Sequence, residues 1–166
     1  MNFLILGSGF PEVEAQLSML QKLAQKDYNV YIGYNESLSH LMYAGADYLL
    51  MPSRVEPCGL NQMYAMRYGT IPMVRRTGGL KDTVIDYGEK EGYGIVYNWA
   101  SVGDITHGIW RAIDLFEDQE KINEVREKMM RLDFSWQHSV QQYLRLYEEL
   151  LQGENEAAVK EDAVKE

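Results

Sequence analysis

Cysteine is almost missing from this chain. Cys58 stands alone among 166 residues, which excludes an intrachain disulfide and fits a reducing cytoplasm. No apolar run reaches membrane-spanning length, and no signal peptide is expected from the opening residues. Basic charge is the minority sign: 16 Lys and Arg stand against 25 Asp and Glu, a net charge of −9. That balance argues against nucleic acid or an anionic membrane as partner. His40, His107 and His138 are the only histidines, no two stand at a ligand spacing, and no acidic cluster resembles a metal cage. A Gly-x-Ser-x-Gly elbow and a Cys–His pair are both absent, so the usual signs of a covalent nucleophile are missing.

What is present suffices for one domain with a real core, since 46% of the residues are hydrophobic. No internal repeat or low-complexity linker interrupts it. Residues 1–152 read as that domain. Residues 153–166 read as an acidic, disordered tail, because Glu154, Glu156, Glu161, Asp162 and Glu166 outweigh Lys160 and Lys165 and no apolar stripe continues there.

The chain is organised around residues 47–80. Tyr48-Leu49-Leu50-Met51 is a short apolar run without helical spacing, which suits a strand buried on both faces. Pro57 disfavours a helical Glu56 and so turns the chain. The spacing of Leu60, Met63, Tyr64 and Tyr68 predicts a helix over 58–68, with Gly69 as its stop. Residues 71–75 form the next strand, and Thr77-Gly78-Gly79-Leu80 the next turn. Both turns leave the carboxyl ends of parallel strands, the edge where open α/β sheets bind ligands.

At the first turn, free N–H groups and the positive end of the helix dipole favour a phosphate or a polarised hydroxyl. Gly59 clears space for a ligand to approach the backbone, and Glu56 sets an acceptor carboxylate beside those donors. A phosphorylated polyol such as a nucleotide sugar fits that pairing. In a second reading Glu56 only neutralises a helix terminus and Gly59 is a packing glycine; spacing alone does not choose between them. Arg54, Arg75, Arg76 and Lys81 stand near the two turns and form either a local basic patch for an anionic donor or ordinary surface ion pairs.

Around this stretch, residues 2–6 read as a strand and Pro11 opens a helix that buries Val13, Leu17, Leu20 and Ala24. Gly7-Ser8-Gly9 lacks the third glycine of a dinucleotide fingerprint. A strand at 30–32 leads through Gly33 to Tyr34, whose ring either stacks on a base or simply packs. A short helix carrying Leu38, Leu41 and Met42 follows. After Leu80 come a short helix at 81–86, a polar surface loop at 86–93 and a last strand at 94–97. Three amphipathic helices close the chain. Their stripes are Ile105, Ile109, Ala112, Ile113 and Phe116, then Ile122, Val125 and Met129, then a run from Trp136 to Leu151 capped by Ser135.

The segment PSRVEPCGLNQMYAMRYGTIPMVRRTGGLKDTV, together with IGYNESLSHLMYAGADYLLMPSR and the later DFSW, resembles the carboxyl-terminal signature of bacterial glycogen synthases and plant starch synthases. The resemblance runs from Phe3 to Leu151. It implies an ADP-glucose-dependent, retaining α-1,4-glucosyltransferase of GT-B architecture, cytoplasmic and independent of metal. The fold it implies is α/β: a Rossmann-like parallel sheet with helices on both faces, incomplete at its amino end. By this resemblance Glu56 is the catalytic-site carboxylate that fixes glucose hydroxyls. Cys58, Gly59, Leu60 and Asn61 hold the sugar and phosphate, and Tyr34 contacts the adenine. The final helix would cross back to the other domain.

Two departures from the family pattern bear on function. The first domain, with the α-1,4-glucan acceptor site, is not in this chain, nor is the opening strand and arginine/lysine turn of the second. The isolated chain is therefore expected to transfer no glucose and to bind ADP only weakly, since each lost charge-assisted bond is worth about 1.5–3 kcal/mol. The absent strand is central in the family's sheet order, so its two neighbours are expected to show unpaired edges that either meet directly or take a strand from another chain, making a homo-oligomer. The second departure concerns Glu-x7-Glu, whose second glutamate binds ribose in many retaining transferases: here Tyr64 stands at that position, as in glycogen synthases. The alternatives are a non-catalytic association or nucleotide-binding module and a transferase using another sugar nucleotide.

Overall fold

The strands pair in two parallel sets. In the computed structural model, which describes residues 1–24 and 26–163 (side chains only to 152), β1 (Phe3–Gly7) pairs with β2 (Tyr28–Ile32), register Phe3↔Tyr28. The second set runs β3 (Tyr48–Met51), β4 (Ile71–Arg75), β5 (Ile95–Tyr97), all parallel, with Tyr48↔Ile71 and Met73↔Ile95 in register. Every connection between paired strands carries a helix, as parallel pairing requires. These are α1 (Pro11–Leu23) after β1, α3 (Asn61–Tyr68) after β3, and α4 (Leu80–Thr83) after β4. Helix α2 (Glu36–Gly45) leads from the first set to the second, and α5 (Val102–Glu117) and α6 (Gln119–Met130) follow β5. Residues 1–130 form one unit. Residues 131–166 form another, built on α7 (Trp136–Ala163).

The second sheet holds the core because both its faces are covered. The pleat sends Met51 and Val74 to one side, where they meet Leu80 and Val84. It sends Met73 and Ile95 to the other, against Ala112 of α5. Helices α3 and α6 bury Ala65, Met66, Ile122, Val125 and Met129. Strand β4 is buried at its first four positions and tolerates Pro72 for a specific reason. Ile71 N–H donates to Asp47 O and Arg76 N–H to Tyr97 O, so odd positions bond toward β3 and even ones toward β5. Pro72 lies one residue before the β5 register begins, so its missing N–H removes no ladder bond.

The expected Rossmann-like parallel α/β fold with helices on both faces is present, with differences that have physical causes. β1 has no strand partner except β2, and β3 none except β4, among the described residues. The two edges do not pair with each other, so direct joining, one of the two expected outcomes, does not occur. No described residue before Met51 is buried. Val13 and Leu20 of α1, expected in a core, are about half exposed, because no described layer covers that side of the helix. Met51 is the only buried residue of β3, whose two-sided burial was expected, since one edge lacks a neighbour. The inward stripe of α5 is Gly108, Ala112 and Leu115, with Phe116 turned outward. The 86–93 segment is anchored rather than a plain surface loop. Asp86 accepts two bonds from Arg111 (2.6 and 2.9 Å) and one each from Val96 N–H (2.8 Å) and Gly88 N–H (3.0 Å). Burial raises the Asp86 pKa, but these bonds, led by Arg111, outweigh it and hold the carboxyl below its ordinary value.

In the second unit, Ser135 Oγ accepts from His138 N–H and so caps α7 as expected. Its apolar stripe, with Tyr143 and Leu144, is exposed. The tail expected from residue 153 falls on side chains outside the described set, as do residues 164–166 altogether.

Candidate functional site

Strand β3 ends at Met51, and residues 52–60 turn the chain into α3. The helix begins at Asn61 rather than at 58. Gly59 takes φ +79°, which interrupts helical geometry, and Leu60 serves as N-cap without a side-chain cap bond. Helix α3 ends where expected, at Gly69 with φ +84°, whose N–H reaches the carbonyls of Ala65 and Met66.

This late start leaves a run of donors at the turn. The backbone N–H groups of residues 58–63 donate to no protein group among the described residues. They lie beside the positive end of α3, the arrangement that binds anions elsewhere. Glu56 is half-buried at the head of the run, and its Oε2 accepts from Ser53 Oγ at 3.3 Å. A single bond from a neutral hydroxyl leaves the carboxylate most of its acceptor capacity. Cys58 and Leu60 are exposed, so the turn is open to solvent.

The 77–83 segment is built directly onto this turn. Gly79 N–H donates to Glu56 O and Pro57 O, both at 3.2 Å. A Cβ at Gly78, where φ is +46°, would stand 1.7 Å from Glu56 O, and one at Gly79 would stand 2.4 Å from Cys58 O. Only glycine permits this approach. The two glycine-bearing turns, separate in sequence, therefore form one surface.

Of the four expected basic residues, two are already engaged. Arg75 donates through Nη1 to Arg54 O (2.6 Å) and Ser53 O (3.4 Å), and through Nε to Asn98 O (3.2 Å), so it braces the turn. Arg76 pairs with Glu89 at 3.1 Å. Arg54 and Lys81 are exposed and form no ion pair among the described residues, so of the four they keep charge to offer.

The sequence profile described as Glycosyl transferases group 1 matches residues 1–129. The chain belongs to this family. A glycogen synthase from Flavobacterium johnsoniae is 58% identical over 91% of this chain, and one from Mannheimia succiniciproducens 47% identical over 86%. The chain spans about a third of these relatives, 32% and 31% of their lengths. Among solved structures, the catalytic domain of starch synthase IV from Arabidopsis thaliana, bound to ADP and acarbose, superposes with a TM-score of 0.81 at 36% identity over 89% of this chain and 32% of that one. Sucrose-phosphate synthase from Thermosynechococcus elongatus, at 22% identity and TM-score 0.62 over 90% of this chain and 38% of that one, shares the fold. The glycosyltransferase fold and the glycogen synthase likeness expected from the signature segment are thus both found.

Within this glycosyltransferase domain, Glu56, Cys58, Gly59, Leu60 and Asn61 come together in one turn at the carboxyl end of β3. Tyr34 is joined to it by no hydrogen bond or ring contact among the described residues, and Tyr64 only through its backbone N–H, which donates to Leu60 O at 3.0 Å. Tyr34 follows β2 in the other strand set, 84% exposed, with its hydroxyl donating to Glu36 Oε2 at 3.4 Å. Tyr64 lies one turn into α3, and its ring packs on His40 and Tyr43 of α2, with centroids 5.7 and 6.2 Å apart. His40, read as structural or solvated, bonds through Nδ1 with Tyr68 Oη at 3.2 Å. Two residues that organise the turn escaped sequence reasoning: Gln62 and Thr83. A glutamine in the first turn of a helix reads as a solvated polar residue, and only the contact between the two turns reveals otherwise.

Among the described residues no three His, Cys, Asp or Glu side chains gather into a metal-holding group, and no helix is long and apolar enough to cross a membrane.

Proposed function

We propose that the chain is the donor-binding domain of a retaining, ADP-glucose-dependent α-1,4-glucosyltransferase of the glycogen synthase kind. One observation carries the reading: a half-buried carboxylate, Glu56, heads a run of unbonded backbone N–H groups at a helix start. The 58% identity to a glycogen synthase and the likeness to a starch synthase bound to ADP support the choice of donor. The remainder of a full-length enzyme would supply the glucan acceptor site.

In this reading Glu56 accepts bonds from glucose hydroxyls, each charge-assisted bond worth about 1.5–3 kcal/mol. The amides of Cys58, Gly59 and Leu60 hold the same region, and Leu60 with Asn61 meets the leaving diphosphate at the start of α3. Retention follows when the acceptor hydroxyl attacks on the face that the diphosphate leaves. The transition state is then oxocarbenium-like at the sugar, with negative charge gathering on the phosphate. Preorganised amides and the cations Arg54 and Lys81 stabilise that charge without waiting for solvent to reorganise, and the reading calls on no metal. Tyr34 contacts the adenine. Tyr64, packed against α2, borders the nucleoside side of the helix. The reading places the enzyme in the cytoplasm, in keeping with the lone, unpaired Cys58.

The test is a titration of the ¹⁵N-labelled chain with ADP-glucose, UDP-glucose and ADP. ADP-glucose is expected to shift the amide resonances of residues 58–61 and to bind more tightly than UDP-glucose. Glu56→Gln is expected to weaken ADP-glucose by about tenfold while leaving ADP unchanged, because the carboxylate touches only the sugar. Shifts confined to other surfaces, or equal losses for ADP and ADP-glucose, would overturn the reading.

A further inference from the structure

Gln62 is fully buried, yet its side chain reaches out of its own helix. Nε2 donates toward Cys58 O at 3.2 Å, Gly59 O at 3.0 Å and Thr83 Oγ1 at 3.1 Å. Thr83 spends its own proton on Gly79 O at 2.8 Å, so toward Gln62 it acts as acceptor. Gly79 N–H in turn donates to Glu56 O and Pro57 O. The circuit closes: turn to Gln62, Gln62 to Thr83, Thr83 to Gly79, Gly79 back to the turn.

The geometry of the peptide unit gives this circuit a consequence. In a trans peptide the C=O of one residue and the N–H of the next lie in one plane and point in opposite directions. Gln62 draws the carbonyls of Cys58 and Gly59 inward. The N–H groups of Gly59 and Leu60, which belong to those same two peptides, must then point outward. These are among the amides that donate to no protein group among the described residues. The other end of Gln62 gains nothing: Oε1 is buried without a partner among the described residues, close enough that a Cβ at Gly59 would stand 2.5 Å from it. Such an orphaned acceptor costs stability, so the amide is poorly explained as a packing device.

We propose that Gln62 is a positioning residue that aims the Gly59 and Leu60 amides at the donor and thereby sets donor affinity. This deepens the donor-binding reading and rests on it. The role is indirect: Gln62 is buried and acts through the two peptides it holds, while Thr83 braces it from the 77–83 segment.

The test compares the wild-type chain with Gln62→Met and Thr83→Val. Methionine matches the length of glutamine, cannot donate, and removes the unpaired acceptor, so it alters the aim of the peptides at small cost to the core. Residual dipolar couplings of backbone N–H vectors report direction, which a merely structural role would leave unchanged in a folded chain. In Gln62→Met the couplings of Gly59 and Leu60 are expected to depart from wild type while those of β4 and α6 persist, and ADP-glucose affinity is expected to fall about tenfold. Thr83→Val, which keeps Gln62, is expected to move the same couplings less and to weaken binding about threefold, so it decides the matter should Gln62→Met fail to fold. Wild-type couplings in both folded variants, or altered couplings with unchanged affinity, would overturn the proposal. A wild-type chain that ignores ADP-glucose would instead overturn the donor reading, and the couplings would still decide whether Gln62 aims these amides.

Discussion

Replacing Gly79 with alanine tests the contact between the two turns with the smallest possible probe. Gly79 has φ −65° and ψ −17°, angles that alanine adopts freely, so backbone strain plays no part. The added methyl would stand 2.4 Å from Cys58 O, 2.6 Å from its Cα and 2.9 Å from its carbonyl carbon. Ordinary contact between such atoms needs about 3.4 Å, so the turn must retreat by roughly 1 Å. Retreat weakens the bonds from Gly79 N–H to Glu56 O and Pro57 O, worth about 1 kcal/mol together, and overpacking adds about 1–3 kcal/mol. Gly79→Ala is therefore expected to lose roughly 2–4 kcal/mol in urea unfolding. Its ADP-glucose affinity should also fall by at least about tenfold, since a shift near 1 Å at a binding turn disrupts several contacts at once. The two losses should trade against each other: a turn that moves easily spares stability and sacrifices binding. A variant within about 0.5 kcal/mol of wild type that also keeps its affinity would refute the close approach itself.

Gly108 of α5 provides the contrast, because a Cβ there meets Tyr97, Met73 and Ile95 at ordinary distances of 3.5–3.8 Å. Gly108→Ala is expected to raise stability by about 0.5–1 kcal/mol in the same urea assay, through helix propensity and a stiffer unfolded chain. Asp86 and Arg111 form a pair whose side chains are only 13% and 21% exposed, so Asp86→Asn, which strands the guanidinium, should cost roughly 3 kcal/mol at neutral pH. The pH dependence follows from the lowered Asp86 pKa: its contribution is complete above the unfolded carboxyl value, near 3.9, and is lost as pH falls through the lower folded value. Acid titration by circular dichroism should show wild type losing this increment below about pH 4 and Asp86→Asn lacking it.

Much of the second strand set could be read from sequence because its signals are local. Ile122, Val125 and Met129 keep helical spacing and are all buried, and Gly69 stops α3 where a left-handed residue was needed. The start of α3 was misjudged because the apolar pattern runs through Gly59, whereas a positive φ there decides where helical bonding begins. Asp86 looked like a loop residue because its partner Arg111 is 25 positions away. The stripe of α1 was read correctly as a stripe and wrongly as buried: periodicity tells which side is apolar, not whether anything covers it. The core of the candidate site, from Glu56 to Asn61, was legible as a strand–turn–helix signature. Its bracing by Gln62, Thr83 and Gly79 was not, since that depends on how two turns meet in space.

The uneven distribution of buried side chains divides the first unit energetically. With no described residue before Met51 fully shielded from water, transient opening of β1, α1 and β2 sacrifices little apolar contact, whereas opening β4 or α6 exposes side chains such as Val74 and Ile122. Amide protons of the first two strands should thus escape to solvent well before those of β4. Tyr34 rides on the labile portion and Glu56 on the durable one. A nucleotide sugar gripped by both would have to quiet the former, and the slowing of exchange at 28–32 would register that grip without altering a single residue.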